Sequence, residues 1–302
     1  MNAPAQQPLF NRLALRRNRA RFASRFAAHN VLFEEAGAGL IERLPFIKRD
    51  FTAVLEIGSR DDRFEKALAK PDRTITRMGL NDGSVIGEEE FLPFGANSFD
   101  LIISNLNLHW ANDVPGALIQ IRRALKPDGF FLASLLGGET LNELRASLYE
   151  AEMEIRGGVS PRVSPFMDLR DGAALMQRAG FTLPVADREK LTLTYPDIFA
   201  LMNELRFMGE GHIASQKEKR FTPRALFTRA GEIYKERFPA EDGIKATFEV
   251  LVLSGWAAHE SQQQPLQPGT AQHSLAEALK TSEIETDDVA PVPSIKAPRR
   301  GG

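Results

Sequence analysis

Between Thr52 and Leu136 three runs of apolar, largely branched residues, TAVLEIG, FDLIIS and FFLASLL, are separated by stretches whose apolar residues recur at helical spacing. Runs with no alternation of polar residues suit strands buried on both faces, and helices between them are what a parallel sheet needs for its crossovers. A helix is expected from Asp61 to Ala69, then a weaker strand from Thr74 to Met78 and a short strand or turn from Gly83 to Glu90. After the strand Phe99 to Ser104, Val114, Leu118, Ile121 and Leu125 form one stripe of a helix from Asp113 to Leu125. Asp113 is its cap and Pro115 suits its first turn. Lys126-Pro127-Asp128-Gly129 reads as a turn into the strand Phe130 to Leu136.

The pattern continues with a helix through Leu141, Leu144, Leu148 and Ala151, a loop over Gly157 to Pro165, and a helix from Asp168 to Ala179 that Gly180 stops. A strand over Leu191 to Tyr195, helices over Pro196 to Met208 and from a Thr222 cap to Arg237, and a buried strand over Thr247 to Trp256 complete the expectation. The fold class is α/β: a Rossmann-like, mainly parallel seven-stranded sheet with helices on both faces, an N-terminal helix and a C-terminal helical insertion. With 302 residues, 43% of them hydrophobic, the chain can bury one principal core. We expect a basic helical segment over 1–45, the α/β domain over 46–260, and a largely disordered tail over 261–302, where glutamine, proline and acidic residues dominate.

The absence of cysteine excludes disulfides, thiolate zinc, iron-sulfur ligation and cysteine nucleophiles. No apolar run nears the 18 or so residues of a membrane span, and no signal peptide opens the chain, so a soluble intracellular protein is expected. Arg12, Arg16, Arg17, Arg19, Arg21 and Arg25 all precede the first acid, Glu34. They read as the solvated face of a helix that docks through Leu15, Phe22 and Phe26, as a mitochondrial targeting segment, or as a surface for peripheral contact with an anionic membrane. No nucleic-acid partner is expected.

In such a sheet ligands sit at the carboxyl ends of the strands. The first strand leaves through Glu56-Ile57-Gly58-Ser59-Arg60-Asp61-Asp62. This is neither a dinucleotide GxGxxG nor a phosphate-binding GxxxxGK. It matches the opening of the acidic-x-G-x-G-x-G loop that cradles S-adenosylmethionine (SAM), with Arg60 and Asp62 where the second and third glycines belong. Glycine serves there because the backbone turns tightly against the ligand, and an ordinary residue forced left-handed costs roughly 1–2 kcal/mol. Two readings stay open: SAM binds weakly with Arg60 swung aside, or the loop has lost SAM. The cofactor candidates are Glu56, Gly58, Ser59 and Arg60 in this loop, Glu88 and Glu89 of EEEFLPF at the adenine end, and Asn105 after the fourth strand. The second strand ends Thr76-Arg77-Met78-Gly79, without the ribose-binding acid. Each candidate has a plainer alternative: Gly58 as a strand-ending turn, the glutamates as a solvated turn. His109, beside Trp110, is either a general base or a packed, hydrogen-bonded residue. None of the five histidines begins HxD or HxE, so spacing supports no metal site.

The strings EEEFLPFGANSFDLIISNLNLHWANDVPGALIQIRRALKPDGFFLASLLGGETLNELRASL, SPRVSPF, LMNELRFMGE and SGWAAHESQQQPLQPGTA resemble the mitochondrial complex I assembly factor 5 family and its alphaproteobacterial relatives. The resemblance runs from about Phe10 to Ala271, and its middle block extends to malonyl-carrier-protein methyltransferases. It implies a class I SAM methyltransferase fold (type 11) acting on a protein, in complex I assembly, with an arginine of a core subunit as the hydroxylated target. It carries the SAM pocket onto Glu56, Gly58, Glu88 and Asn105, and places the Gly137–Thr140 loop at the substrate face. His259-Glu260 is a candidate partner-docking motif or the capped end of a strand. Two functions follow: a SAM-dependent methyltransferase, or a non-catalytic assembly factor that holds an immature complex I subunit. The expected location is the cytoplasm of a bacterium or the mitochondrial matrix of a eukaryote.

Overall fold

Residues 8–215 and 221–262 are described by a computed structural model. Two helices, α1 (Arg12–Phe26) and α2 (Val31–Arg43), precede β1 (Ala53–Ile57), α3 (Arg63–Leu68), β2 (Thr74–Gly79) and β3 (Val85–Ile86). Then come β4 (Phe99–Asn105), α4 (Val114–Ala124), β5 (Leu125–Leu136), α5 (Asn142–Arg156), α6 (Leu169–Arg178) and β6 (Phe181–Tyr195). The series ends with α7 (Ile198–Phe207), α8 (Arg224–Arg237), β7 (Pro239–Ala240) and β8 (Gly243–Ala257). The sheet order is β3-β2-β1-β4-β5-β8-β6, with the two-residue β7 paired to β8. The strands from β3 to β5 are mutually parallel, and β8 and β6 run antiparallel at the far side. This is the expected Rossmann-like architecture.

The two-residue period of the strands sorts the core into two layers. Leu55, Ile57, Ile102 and Phe131 pack with Leu118 and Ile121 of α4 and Met176 of α6. On the other face Val54, Leu101, Ile103 and Leu132 pack with α2, α5, α7 and α8 through Leu40, Leu148, Leu201 and Ile233. Asp113 caps α4 by accepting from the Gly116 amide, as its position predicts. Gly180 ends α6 with φ +85°.

Four elements depart from the expectation. The N-terminal segment holds two helices rather than one, the second beginning after Asn30. The strand β6 starts at Phe181, ten residues before Leu191, because a bulge between Thr182 and Val185 admits Pro184 on this edge strand. Lys126–Gly129 turns as expected, with Asp128 at φ +60°, yet a bulge between Phe99 and Leu101 lets β5 begin at Leu125. Pro223, not Thr222, precedes α8. Among the described residues no helix is long and apolar enough to cross a membrane. Beyond Gln262, the tail expected to be disordered lies outside the described residues.

Candidate functional site

The chain leaves β1 through Gly58 at φ +78°, and a Cβ there would lie 2.4 Å or less from side-chain carbons of Asn107. Glycine is therefore required, but what it admits is the Asn107 side chain. Arg77 closes the loop from β2, whose register sets it opposite Glu56. Its Nε donates to Ser59 Oγ at 3.0 Å and its Nη2 to the Asp61 carbonyl at 2.7 Å. One residue before Met78, in the strand end that lacks the ribose-binding acid, a cation straps the loop. Glu56 is buried, and that burial lifts its carboxyl to about 7 against the pull of Ser59 and of Arg77 at 3.7 Å.

Arg60 points into the cleft. Its guanidinium lies 3.9 Å from the centroid of Phe26 in α1, and its Nη1 donates to the Met208 carbonyl at 2.7 Å. Burial, reinforced by the neighbouring Arg19 cation, brings it down to about 9. The counter-charge is Glu210, just past α7, with Arg60 3.7 Å away. Glu210 Oε1 accepts from Arg19 at 3.0 Å, and Oε2 accepts from Trp110 at 2.6 Å and lies 3.0 Å from His109 Nε2. Burial opposes its ionisation, but Arg19, His109 and Arg60 together hold it at about 2. The Leu136 amide donates to His109 Nδ1 at 3.4 Å, which leaves the ring proton on Nε2 facing Glu210. Burial pushes the His109 pKa down, so the ring stays neutral, wedged against Trp110 and Phe166.

The network runs on through Asn107, which accepts from Arg19 at 2.7 Å and donates to Glu89 at 3.0 Å. Arg12 of α1 pairs with Glu89 at 2.6 Å and reaches Glu88 at 3.5 Å. Asn105 faces away from this network: its amide donates to the Phe33 carbonyl and its oxygen accepts from Ser134. The fold thus brings Glu56, Gly58, Ser59, Arg60, Glu88, Glu89 and His109 to one edge, with Asn105 engaged behind it. The fold implies SAM, but the residues present do not fit it. Asn107 and Arg60 occupy the groove, Glu89 is paired with Arg12 while Glu56 Oε2 is buried without a hydrogen bond to any described residue, and the hollow left beside Ser59, Leu80 and Asp82 measures about 70 Å³. Small-molecule sites hold roughly 300 Å³ or more. Among the described residues no group of three or more His, Cys, Asp or Glu side chains is placed to hold a metal.

A methyltransferase-domain family model, type 11, matches residues 55–133. The mitochondrial arginine-hydroxylase NDUFAF5 of Danio rerio is 37% identical over 276 residues, 86% of this chain and 85% of that protein. The chain belongs to the NDUFAF5 family. The malonyl-acyl-carrier-protein O-methyltransferase of a Methylovorus species is 29% identical over 272 residues, covering 82% and 90% of the two chains. Among solved structures, the Burkholderia thailandensis 1,6-didemethyltoxoflavin-N1-methyltransferase, with S-adenosylhomocysteine bound, aligns at 17% identity with a TM-score of 0.43 over 86% of this chain and 94% of that one.

Two of the strings that carry the NDUFAF5 likeness border the cleft. LMNELRFMGE is α7 with the Glu210 turn, where Gly209 takes φ +76° and a Cβ would press within 3.0 Å of Arg19. SPRVSPF walls a cavity of about 400 Å³ next to Glu210. The Gly137–Thr140 loop is tied to β8 and β6, Thr140 donating to the Glu249 carbonyl and Glu139 accepting from Lys190. Sequence reasoning did not single out Arg19, Arg77, Asn107 or Glu210. One signal was available for Glu210, a charged residue held between two glycines directly after an apolar helix. Arg19 reads as one of six similar arginines until α1 is seen to turn it inward. His259 and Glu260 are exposed beyond β8, His259 bonded to Ser261.

Proposed function

We propose that this chain acts in respiratory complex I assembly by holding an immature subunit, with its methyltransferase fold serving as the scaffold and its cofactor cleft closed by its own side chains. The observation that carries this reading is Arg60. A residue at the second glycine position of the cofactor loop is folded into the groove and tied to α7 at Met208 and Glu210. Family membership supports the assembly role, and the tight internal pairing of Arg12, Arg19, Glu89 and Glu210 supports a structural use of the cleft. Protein substrates or partners in this reading meet the faces beside the cleft. The exposed side of α1, with Arg16, Arg17, Arg21 and Arg25, is suited to peripheral contact with the anionic membrane in which complex I is built. The site of action is then the cytoplasmic face in a bacterium, or the matrix face in a mitochondrion.

Titration calorimetry with SAM at millimolar concentration tests the closed cleft, and no heat of binding is expected. Saturable binding would overturn the closed cleft. Affinity capture from cells that make complex I tests the partner, with a complex I subunit expected in the eluate and its complete absence counting against the reading.

A further inference from the structure

The cavity beside the cleft has a composition of its own. Its volume of about 400 Å³ lies in the range that small-molecule sites occupy, roughly 300–1,000 Å³. Leu144 and Leu148 of α5, Phe166 of the loop before α6, Met202 and Leu205 of α7 and Phe227 of α8 give it apolar walls. Its charges are unbalanced. Among the described residues Glu210 is the one carboxylate lining it, and both of its oxygens are taken by Arg19, His109 and Trp110. Three arginines also line it: Arg162 is paired with Glu152, whereas Arg21 and Arg206 are exposed. They rise from α1 and α7 at the point where their neighbours Phe22 and Phe207 meet edge to face, with ring centroids 5.6 Å apart.

Neither arginine has an acidic partner among the described residues: Arg206 donates to Asn203, and Arg21 lies over Phe22. Some surface arginines are paired, Arg43 with Asp187 and Glu189, Arg229 with Glu154 and Glu232, and Arg237 with Glu150; what sets Arg21 and Arg206 apart is that they line a cavity. An apolar chamber whose mouth carries two cations without counter-ions among the described residues is complementary to a ligand with an apolar body and one negative end. A cationic ligand meets the wrong sign of charge there.

We propose that this cavity binds an amphiphilic anion, its apolar body among Leu144, Leu148, Phe166 and Met202 and its head group between Arg21 and Arg206. The inference goes beyond the partner-holding role and stands without it. Octanoate and octanol, which share a chain and differ in the head, are the probes for titration calorimetry on the full chain. One octanoate is expected per protein, octanol at least tenfold weaker. The double variant Arg21→Glu/Arg206→Glu should weaken octanoate at least tenfold and leave octanol unchanged, its fold checked by circular dichroism. Leu148→Trp, which fills the chamber, should abolish both. Failure of octanoate to bind, or equal affinity in the charge-reversed variant, overturns the proposal. Displacement of bound octanoate by phosphatidylglycerol vesicles but not by phosphatidylcholine vesicles supports it with a membrane lipid as the source. Octanoate undisturbed by either supports it with a free amphiphile.

Discussion

Glu210 shows how much one carboxylate can organise once it is out of water. Two arginines, a histidine and a tryptophan converge on it, so losing its charge leaves Arg19 and Arg60 as buried cations with nothing opposite. Removing one member of a buried ion pair costs roughly 3–5 kcal/mol. Glu210→Gln is therefore expected to lower stability to urea by about that much, read from the fluorescence of Trp110, which donates to the missing charge; a change below about 1 kcal/mol would contradict the network. The pH dependence has a definite sign. The folded pKa of Glu210, about 2, lies below the ordinary 4.5, so its contribution is complete above about pH 4.5 and is lost as pH falls toward 2. The wild type should lose stability across that acid window more steeply than Glu210→Gln. His109 sits inside the same set of bonds. Its nature as a buried, packed imidazole was one of the two readings available from sequence, and the hydrogen bonds from Leu136 and to Glu210 give that reading its physical content.

At the scale of elements, α7 matters because it ends at Gly209 and delivers Glu210 to the cleft. Its start is set by Asp197, whose Oδ1 accepts from the amides of Phe199 and Ala200. Asp197→Ala removes both bonds and should cost about 1 kcal/mol, seen as a lower urea midpoint with unchanged slope. The strands β1, β4 and β8 and the helices α4, α5 and α6 were legible because their burial pattern is local, written in runs or stripes of apolar residues. What escaped was non-local. The bulge that carries β6 through Pro184 and the one that lets β5 begin at Leu125 exist because neighbouring strands supply hydrogen bonds on both sides of an irregularity. The helix α2 escaped as well: its buried Leu32, Phe33, Ala36 and Leu40 face a sheet whose position the sequence does not state.

For the whole molecule, Phe10 and α1 cover the carboxyl edge of the sheet, while α2 packs on its face. Phe10 packs on Trp110 with centroids 5.2 Å apart, Leu15 is fully buried, and Arg12 and Arg19 neutralise Glu89 and Glu210. A chain beginning at Ala28 loses all of this together, and its thermal midpoint is expected to fall by about 10 °C or more in a circular-dichroism melt. An unchanged midpoint would mean that α1 is a dispensable appendage. The order of strands and helices and the two missing glycines of the loop after β1 follow from local patterns; the expected left-handed backbone there does not form, Asp62 taking φ −100° and Arg60 not being among the residues with positive φ. Whether that loop still accepts a ligand is a matter of which distant side chains enter the space the glycines once kept open. Arg19 comes from a helix at the start of the chain, Glu210 from the end of one about two-thirds of the way along it, and Asn107 from the turn after β4. Charge and volume in a cleft are sums over residues far apart in sequence, so only folding brings them together and sets whether the cleft stays open.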